Sequence, residues 1–432
     1  MTAASPVRQD LAEARRLDAT DSVPSQRAHF HIPTDASGNE VLYFAGNSLG
    51  LQPRAAAGHV AELLEDWRTL GVDGHFRGST PWYTYHEVFR EQGTRLVGAD
   101  PGGGEVVMMN SLTINLHLLL TSFYRPRGRR TRLLMETPAF PSDIYCVQSH
   151  LRARGLNPDE HIIEVGPREG ADCVHPDDVL AAIEQAGDTL ATIMIGGVNF
   201  LTGQVFDMAT VTEAGHRAGA MVGFDLAHAA GNIELHLHDW GVDFAAWCSY
   251  KYLNAGPGAI AGAFVHASHA GNPDLQRLAG WWGNDPDSRF RMHLEDTFIP
   301  VRSVDAWQVS NPPILSMAPL RASLDLFDEV GMQALHERSI RMTRFLRGQL
   351  EATPGSPWRI VTPKDAHGSQ LSIMIDSDAR GAFTRIADMG VVADFRPPDV
   401  IRVAPTPLYN TFEECHRFAS IMADAFAGAG GT

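Results

Sequence analysis

From about residue 105 onward the sequence alternates short apolar runs with amphipathic stretches, and few architectures accommodate that order. The spacing predicts strands at Val106–Met109, Leu133–Glu136, Ile162–Val165, Ala191–Ile195, Met221–Asp225, Phe244–Cys248 and Ala259–Val265. Helices are predicted between them at Leu112–Phe123, Ser142–Arg154, Pro176–Ala186 and Met208–Ala218, the third opening on Pro-Asp-Asp as a helix start should. Strand and helix in alternation imply an α/β fold, a mainly parallel sheet with helices on both faces. After Pro313 the pattern changes to long helices (Met317–Glu329, Gln333–Glu351), strands near Leu371–Ile375, Val391–Asp394 and Ile401–Val403, and a closing helix from Thr411 to Phe426. The expected division is an N-terminal segment, 1–60, partly packed on the small domain, a large α/β domain, 61–313, and a smaller α+β domain, 314–432. Roughly the first 25 residues and the Gly/Ala-rich tail after Ala425 are expected to be loose.

Composition removes several function classes. With 44% hydrophobic residues in 432, the chain can bury a core, so disorder as the main state is excluded. A net charge of −16 leaves no basic field for a polyanion, so no nucleic-acid partner is expected. No apolar run is long enough for a membrane span, and the N-terminus lacks a signal-peptide core; a soluble cytoplasmic protein with no membrane partner is expected. The four cysteines lie far apart without a CxxC pair, so reduced thiols are expected. The pairs His29/His31 and His236/His238 lack further ligands at suitable spacing, and no metal is expected. Only two of the 35 basic residues are lysines, Lys251 and Lys364, so chemistry needing a primary amine has two candidates.

The most informative stretch is Gly223-Phe-Asp-Leu-Ala-His-Ala-Ala-Gly231, followed by Cys248-Ser-Tyr-Lys-Tyr-Leu-Asn-Ala-Gly-Pro-Gly258. Asp225 ends a predicted buried strand, where a carboxylate needs a cation or donors. Lys251 follows the next strand. An acid and a lysine on neighbouring strand ends suit pyridoxal 5'-phosphate, with the lysine as Schiff-base partner and the acid on the pyridinium nitrogen. A plain ion pair at a sheet edge fits the same two residues. Asn110-Ser-Leu-Thr-Ile-Asn115 joins a strand to a helix, where free N–H groups and the hydroxyls of Ser111 and Thr113 could meet a phosphate; ordinary capping explains them equally. Phe140-Pro-Ser-Asp143 offers an aromatic face and polar groups, or simply core.

Together with Tyr43-Phe-Ala-Gly-Asn-Ser-Leu-Gly-Leu-Gln-Pro53, Gly280-Trp-Trp-Gly283, Ser310-Asn-Pro-Pro-Ile314 and Ile401-Arg-Val-Ala-Pro405, these motifs occur in an order that resembles the kynureninases across nearly the whole chain. Kynureninases are fold-type I pyridoxal phosphate enzymes that hydrolyse the Cβ–Cγ bond of kynurenine or 3-hydroxykynurenine, releasing alanine and anthranilate or 3-hydroxyanthranilate, in tryptophan catabolism and NAD biosynthesis. The resemblance implies Lys251 as the Schiff-base lysine, Asp225 as the pyridinium partner, His228 beside the cofactor, and Tyr250 as phosphate ligand and proton donor. It implies phosphate contacts from Leu112 and Thr113, stacking by Phe140, and cofactor contacts from Pro141, Ser142 and Asp143. Trp281 and Asn311 resemble residues reaching the cofactor from a second subunit, which implies a homodimer with shared sites. For the substrate it implies Ser48, His75, Asn311 and Arg402, the last as the clamp on the α-carboxylate. Gly196 departs from the pattern, standing where many members carry a hydroxyl near the phosphate. The rival readings are a related aminotransferase or cysteine desulfurase, or a non-catalytic homologue.

Overall fold

Uninterrupted apolar runs become strands buried on both faces. In the computed structural model, which describes residues 6–427 apart from 273 and 295, the large sheet comprises β1 (Val106–Met108), β2 (Arg132–Glu136), β3 (Ile162–Val165), β4 (Leu190–Gly196), β5 (Met221–Asp225), β6 (Phe244–Cys248) and β7 (Ala261–Val265). Their order is β1-β7-β6-β5-β4-β2-β3. Neighbours are parallel except around β7, which runs against both β1 and β6. No helix separates β6 from β7, and a parallel pair would need such a crossover. Along β6, Ala245 and Trp247 join the core on one face while Phe244 and Ala246 join the core on the other. Each large apolar side chain buried in this way contributes ~1.5–3 kcal/mol.

The helices that matter below are α1 (Pro6–Ala19), α2 (Ala56–Leu70), α3 (Leu112–Phe123), α4 (Pro141–Ala153), α5 (Ile314–Val330), α6 (Met332–Glu351), α7 (Ala379–Asp388) and α8 (Phe412–Ala427). Asn110, at φ 48°, reverses the chain from β1 into α3, a left-handed position that asparagine tolerates. Pro141 opens α4, where its missing N–H costs nothing. The N-termini of α3 and α4 thereby meet the C-terminal ends of β2, β4 and β5.

A second sheet, in the order β8 (Trp358–Ile360), β9 (Leu371–Ile375), β11 (Val400–Val403), β10 (Asp394–Arg396), is antiparallel throughout. It shares a core with α6, α7 and α8. Helix α5 packs instead with the large sheet's core through Met317, Leu320, Leu324 and Phe327, and against α2.

Two expectations need correction. Within the N-terminal stretch, of which residues 1–5 lie outside the described residues, Pro6–Ala19 is a helix rather than loose chain: Asp18 accepts hydrogen bonds from the Phe412 and Glu413 N–H groups (2.8 and 2.9 Å), Arg15 pairs with Glu413, and Ala14 is buried. These partners lie almost 400 residues away, so nothing local announced them. The strand expected at Val391–Asp394 is divided, because Val391–Val392 pairs in parallel with Leu42–Tyr43 while Asp394–Arg396 pairs with β11. Of the tail after Ala425, α8 extends to Ala427 and residues 428–432 lie outside the described residues.

Candidate active site

Strand ends and helix starts converge on one pocket lined by Ser111, Leu112, Thr113, Glu136, Phe140, Asp143, Gly196, Val198, Phe200, Asp225, Ala227, His228, Tyr250 and Lys251. Eight of the residues expected from the resemblance therefore line one pocket. The ammonium nitrogen of Lys251 lies 3.0 Å from His228 Nε2 and 5.9 Å from the centroids of both the Phe140 and Tyr250 rings. Burial, followed by the charges of Lys251, Arg402 and Arg396, lowers the His228 pKa well below its ordinary value. The imidazole is thus neutral at pH 7 and can accept at Nε2, while its buried Nδ1 has no partner.

Carboxylates crowd the same pocket. Burial and then the charge of Asp225 push Asp143 well above the usual carboxylate range. Asp225 Oδ1 accepts from the Ala227 N–H at 2.7 Å. Glu136, at the end of β2, is pushed up to about 7 by burial although Gly196 N–H reaches both its oxygens (3.1 and 3.2 Å). A wall of buried acids with little cationic compensation favours a protonated ring nitrogen. At Gly196 a Cβ would stand 3.0 Å from Glu136 Oε1, so a side chain there would press on this carboxyl.

The anion end is also open. Ser111 occupies the N-cap of α3 without making a side-chain cap, and the Thr113 hydroxyl bonds that of Ser142 (2.9 Å) rather than a backbone N–H. Ordinary capping therefore does not account for these hydroxyls, and the N–H groups of the first turn are available to a phosphate. Tyr250 is raised by burial and then by Cys248, which keeps its phenol protonated. Planar aromatic face, amine, acid wall and anion cradle together fit pyridoxal phosphate.

The remaining expected residues lie elsewhere. Arg402 is fully buried on β11, bonded to Asp394 and to the carbonyl of Phe200. Ser48 donates to Asp394 (2.5 Å), and its loop is seated by Gly50, whose N–H bonds Tyr250 O and where a Cβ would meet Lys251 O at 2.3 Å. His75, Trp281 and Asn311 do not line the Lys251 pocket. His75 Nδ1 contacts Val72 O (3.1 Å), Trp281 packs edge-on against buried Trp282, and Asn311 accepts from Ser310. Sequence reasoning passed over Glu136, Phe200, Asp394 and Arg396. Glu136 ends a buried strand just as Asp225 does, and the same signal could have found it; Phe200 offers no such signal.

Tertiary structure also assembles two groups that spacing had not suggested, His117 with Cys146 and His150, and Glu105 with His238 and His266. In the first, His117 and His150 bond each other (3.1 Å) and Arg154 reaches His150 Nδ1; in the second, Glu105 already accepts from His238 and the Ala267 N–H.

Similarity to known proteins divides along the same lines. A cysteine desulfurase of Escherichia coli superposes with a TM-score of 0.75 at 16% identity, covering 93% of this chain and 97% of that one. One from Thermococcus onnurineus gives 0.74 at 17%, covering 95% and 100%. These establish the fold, and no more. The Aminotransferase class-V family matches residues 56–275, and the Kynureninase C-terminal domain matches 335–422. Kynureninase of Myxococcus xanthus is 51% identical over 95% of this chain and 96% of its own length, and that of Salinispora tropica 50% over 96% and 97%. Identity at that level, sustained across both sheets and the pocket, leaves no room for a merely fold-level relationship: the chain belongs to the kynureninase family.

Proposed function

We propose that this pyridoxal phosphate-dependent hydrolase cleaves the Cβ–Cγ bond of 3-hydroxykynurenine in preference to kynurenine, using Lys251 and Tyr250 as its catalytic pair. The observation that carries the assignment of the pair is the contact of Lys251 Nζ with a neutral His228 inside the acid-walled pocket. When bound, the cofactor supplies the electron sink without which the carbon–carbon bond would not break. Lys251 Nζ, relieved of a proton, takes the substrate's Cα proton and returns it within the pocket. His228 Nε2 accepts from that amine and keeps it turned inward. Asp225, seconded by Asp143, holds a proton at the ring nitrogen's position, and Phe140 closes one face. Leu112 and Thr113 start the helix that would hold the phosphate, with Ser142, Pro141 and Tyr250 as its other expected neighbours. Water adds to the substrate's γ-carbonyl, and as that carbon leaves in the aromatic acid the Tyr250 phenol, kept protonated, delivers a proton to Cβ. Arg402 orients the α-carboxylate and Ser48 supports it.

The desulfurase reading lacks its nucleophile. Cys146, Cys248 and Cys415 are buried, Cys173 is half-buried, and burial raises every one of these thiols, Cys146 to about 12.

The same reading makes the enzyme a homodimer in which Trp281 and Asn311 complete the partner's site. In support, they stand apart from their own Lys251 pocket, and exposed apolar side chains lie beside Trp281: Phe290, 6.3 Å from it, packs on Phe76 (5.8 Å), and Met292 lines the same hollow as Trp281. Mixing inactive Lys251→Ala and Asn311→Ala variants should restore activity, because each mixed dimer then contains one site free of both substitutions. No recovery after verified subunit exchange would refute sharing through Asn311.

The ring preference rests on the resemblance at His75, Ser310 and Asn311. Val72 O can only accept, so Nδ1 donates to it and Nε2 is the ring nitrogen left to meet the 3-hydroxyl. Leaving that nitrogen unmatched costs ~1–3 kcal/mol, so kcat/KM should favour 3-hydroxykynurenine by about tenfold or more. His75→Ala should erase most of the difference. Parallel assays decide the matter: comparable kcat/KM for both substrates, or equal losses in the variant, would overturn the preference. Among the described residues no helix is long and apolar enough to cross a membrane, and the free thiols suit the cytoplasm, where we place the enzyme in tryptophan catabolism by the kynurenine pathway and in NAD biosynthesis. The division at residues 60 and 313 belongs to the same proposal, although α5, just past it, packs on the large sheet's core.

A further inference from the structure

Arg402 shares its counter-ion. Asp394 lies directly opposite it in the β10–β11 register, and Arg396, two residues along β10, projects from the same face as Asp394. Arg402 Nε and Nη2 both reach Asp394 Oδ1 (2.9 and 2.8 Å). Arg396 Nη2 donates to Oδ2 (3.2 Å), and its Nε lies 2.9 Å from Oδ1. The Ser48 hydroxyl donates to Oδ2 at 2.5 Å. Among the described residues neither arginine has a second carboxylate within 4.0 Å. One carboxylate thus serves two guanidinium groups, and neutral His228 adds no further charge. The remaining contacts of Arg402 are to neutral oxygens, Phe200 O and, at 3.3 Å, Ser48 Oγ.

We propose that Arg402, Asp394 and Arg396 form a triad one anion short, in which Arg396 determines specificity for a carboxylate that only Arg402 touches. The proposal rests on the reading of Arg402 as the clamp for the substrate's α-carboxylate. Arg402 with Asp394 alone would be a neutral pair, and a second carboxylate brought alongside would face Asp394 without net attraction. Arg396 changes the count: with substrate bound, two cations meet two anions, Arg402 fully buried and Arg396 half-buried at the edge. Asp394 remains on the Nε–Nη2 edge, and the Nη1–Nη2 edge, where Nη1 bonds the Phe200 carbonyl and Nη2 makes the longer Ser48 contact, turns to the substrate. An amine lacking the carboxylate would leave the surplus charge in place, so the triad selects amino acids over amines.

The test uses the holoenzyme and two probes, L-alanine and ethylamine, which share an amine and differ in the carboxylate; binding is followed by the near-visible absorbance of the bound cofactor. Arg396→Gln should raise the L-alanine Kd by about tenfold or more while moving that of ethylamine by less than about twofold. With substrate, KM should rise while kcat stays within about threefold. The double variant Asp394→Asn/Arg396→Gln restores a single net positive charge and should return L-alanine binding to within about threefold of the parent, a rescue that loss of a structural contact would not produce. Unchanged L-alanine binding in Arg396→Gln, equal losses for both probes, or a double variant no tighter than the single overturns the proposal. If Arg402→Gln also leaves L-alanine binding unchanged, the clamp reading itself has failed.

Discussion

Replacing Lys251 with alanine abolishes turnover, by at least ~10⁴-fold, and removes the near-visible absorbance of the bound cofactor, whereas Lys364→Ala keeps both. The two lysines differ in setting, although they share a chemistry. Lys364 is exposed beside Glu351 at 3.7 Å, with nothing to turn its amine inward. Lys251 faces His228 in a pocket that also holds Asp225 and Asp143. No other ε-amine exists in the chain, so no nearby residue can substitute. Absorbance and activity measured on both variants give the answer, and retained absorbance in Lys251→Ala would refute the assignment.

Arg402→Lys weakens substrate binding even though the charge is conserved. An ammonium cannot keep Asp394 on one edge while presenting parallel donors to a second carboxylate, and its shorter reach would also abandon the Phe200 carbonyl. Losing one charge-assisted hydrogen bond costs ~1.5–3 kcal/mol, which is about one to two decades in kcat/KM. Burial lowers the Arg402 pKa, so a buried lysine in its place would shed its proton more readily still, deepening the loss toward high pH. Steady-state kinetics across pH measure both effects. An unchanged kcat/KM would make Arg402 a structural partner of Asp394 and nothing more.

Local pattern carried the large sheet. Continuous apolar runs such as Phe244–Cys248 can be satisfied only where both faces are covered, and the helices between them supply that cover, so strand, helix and cofactor-bearing strand ends were all legible. Asp225 and Lys251 were legible too, because a charge at the end of a buried run is costly and asks for a purpose. Glu136 sent the same signal and was passed over. Helix α1 could not be anticipated as packed, since its support comes from α8 at the far end of the chain.

What the sequence by itself determined is the order of strands and helices, the two available amines and the family motifs that name the chemistry. What only the tertiary structure decided is who faces whom. Ser48, Phe200, Asp394, Arg396 and Arg402 are scattered over some 350 residues, and they meet because β10 and β11 pair in one register while the Gly50 loop seats against Lys251. Electrostatic balance depends on distance and burial, which separation along the chain does not encode, so the surplus positive charge beside Arg402 and the neutral His228 beside Lys251 exist only in the folded molecule.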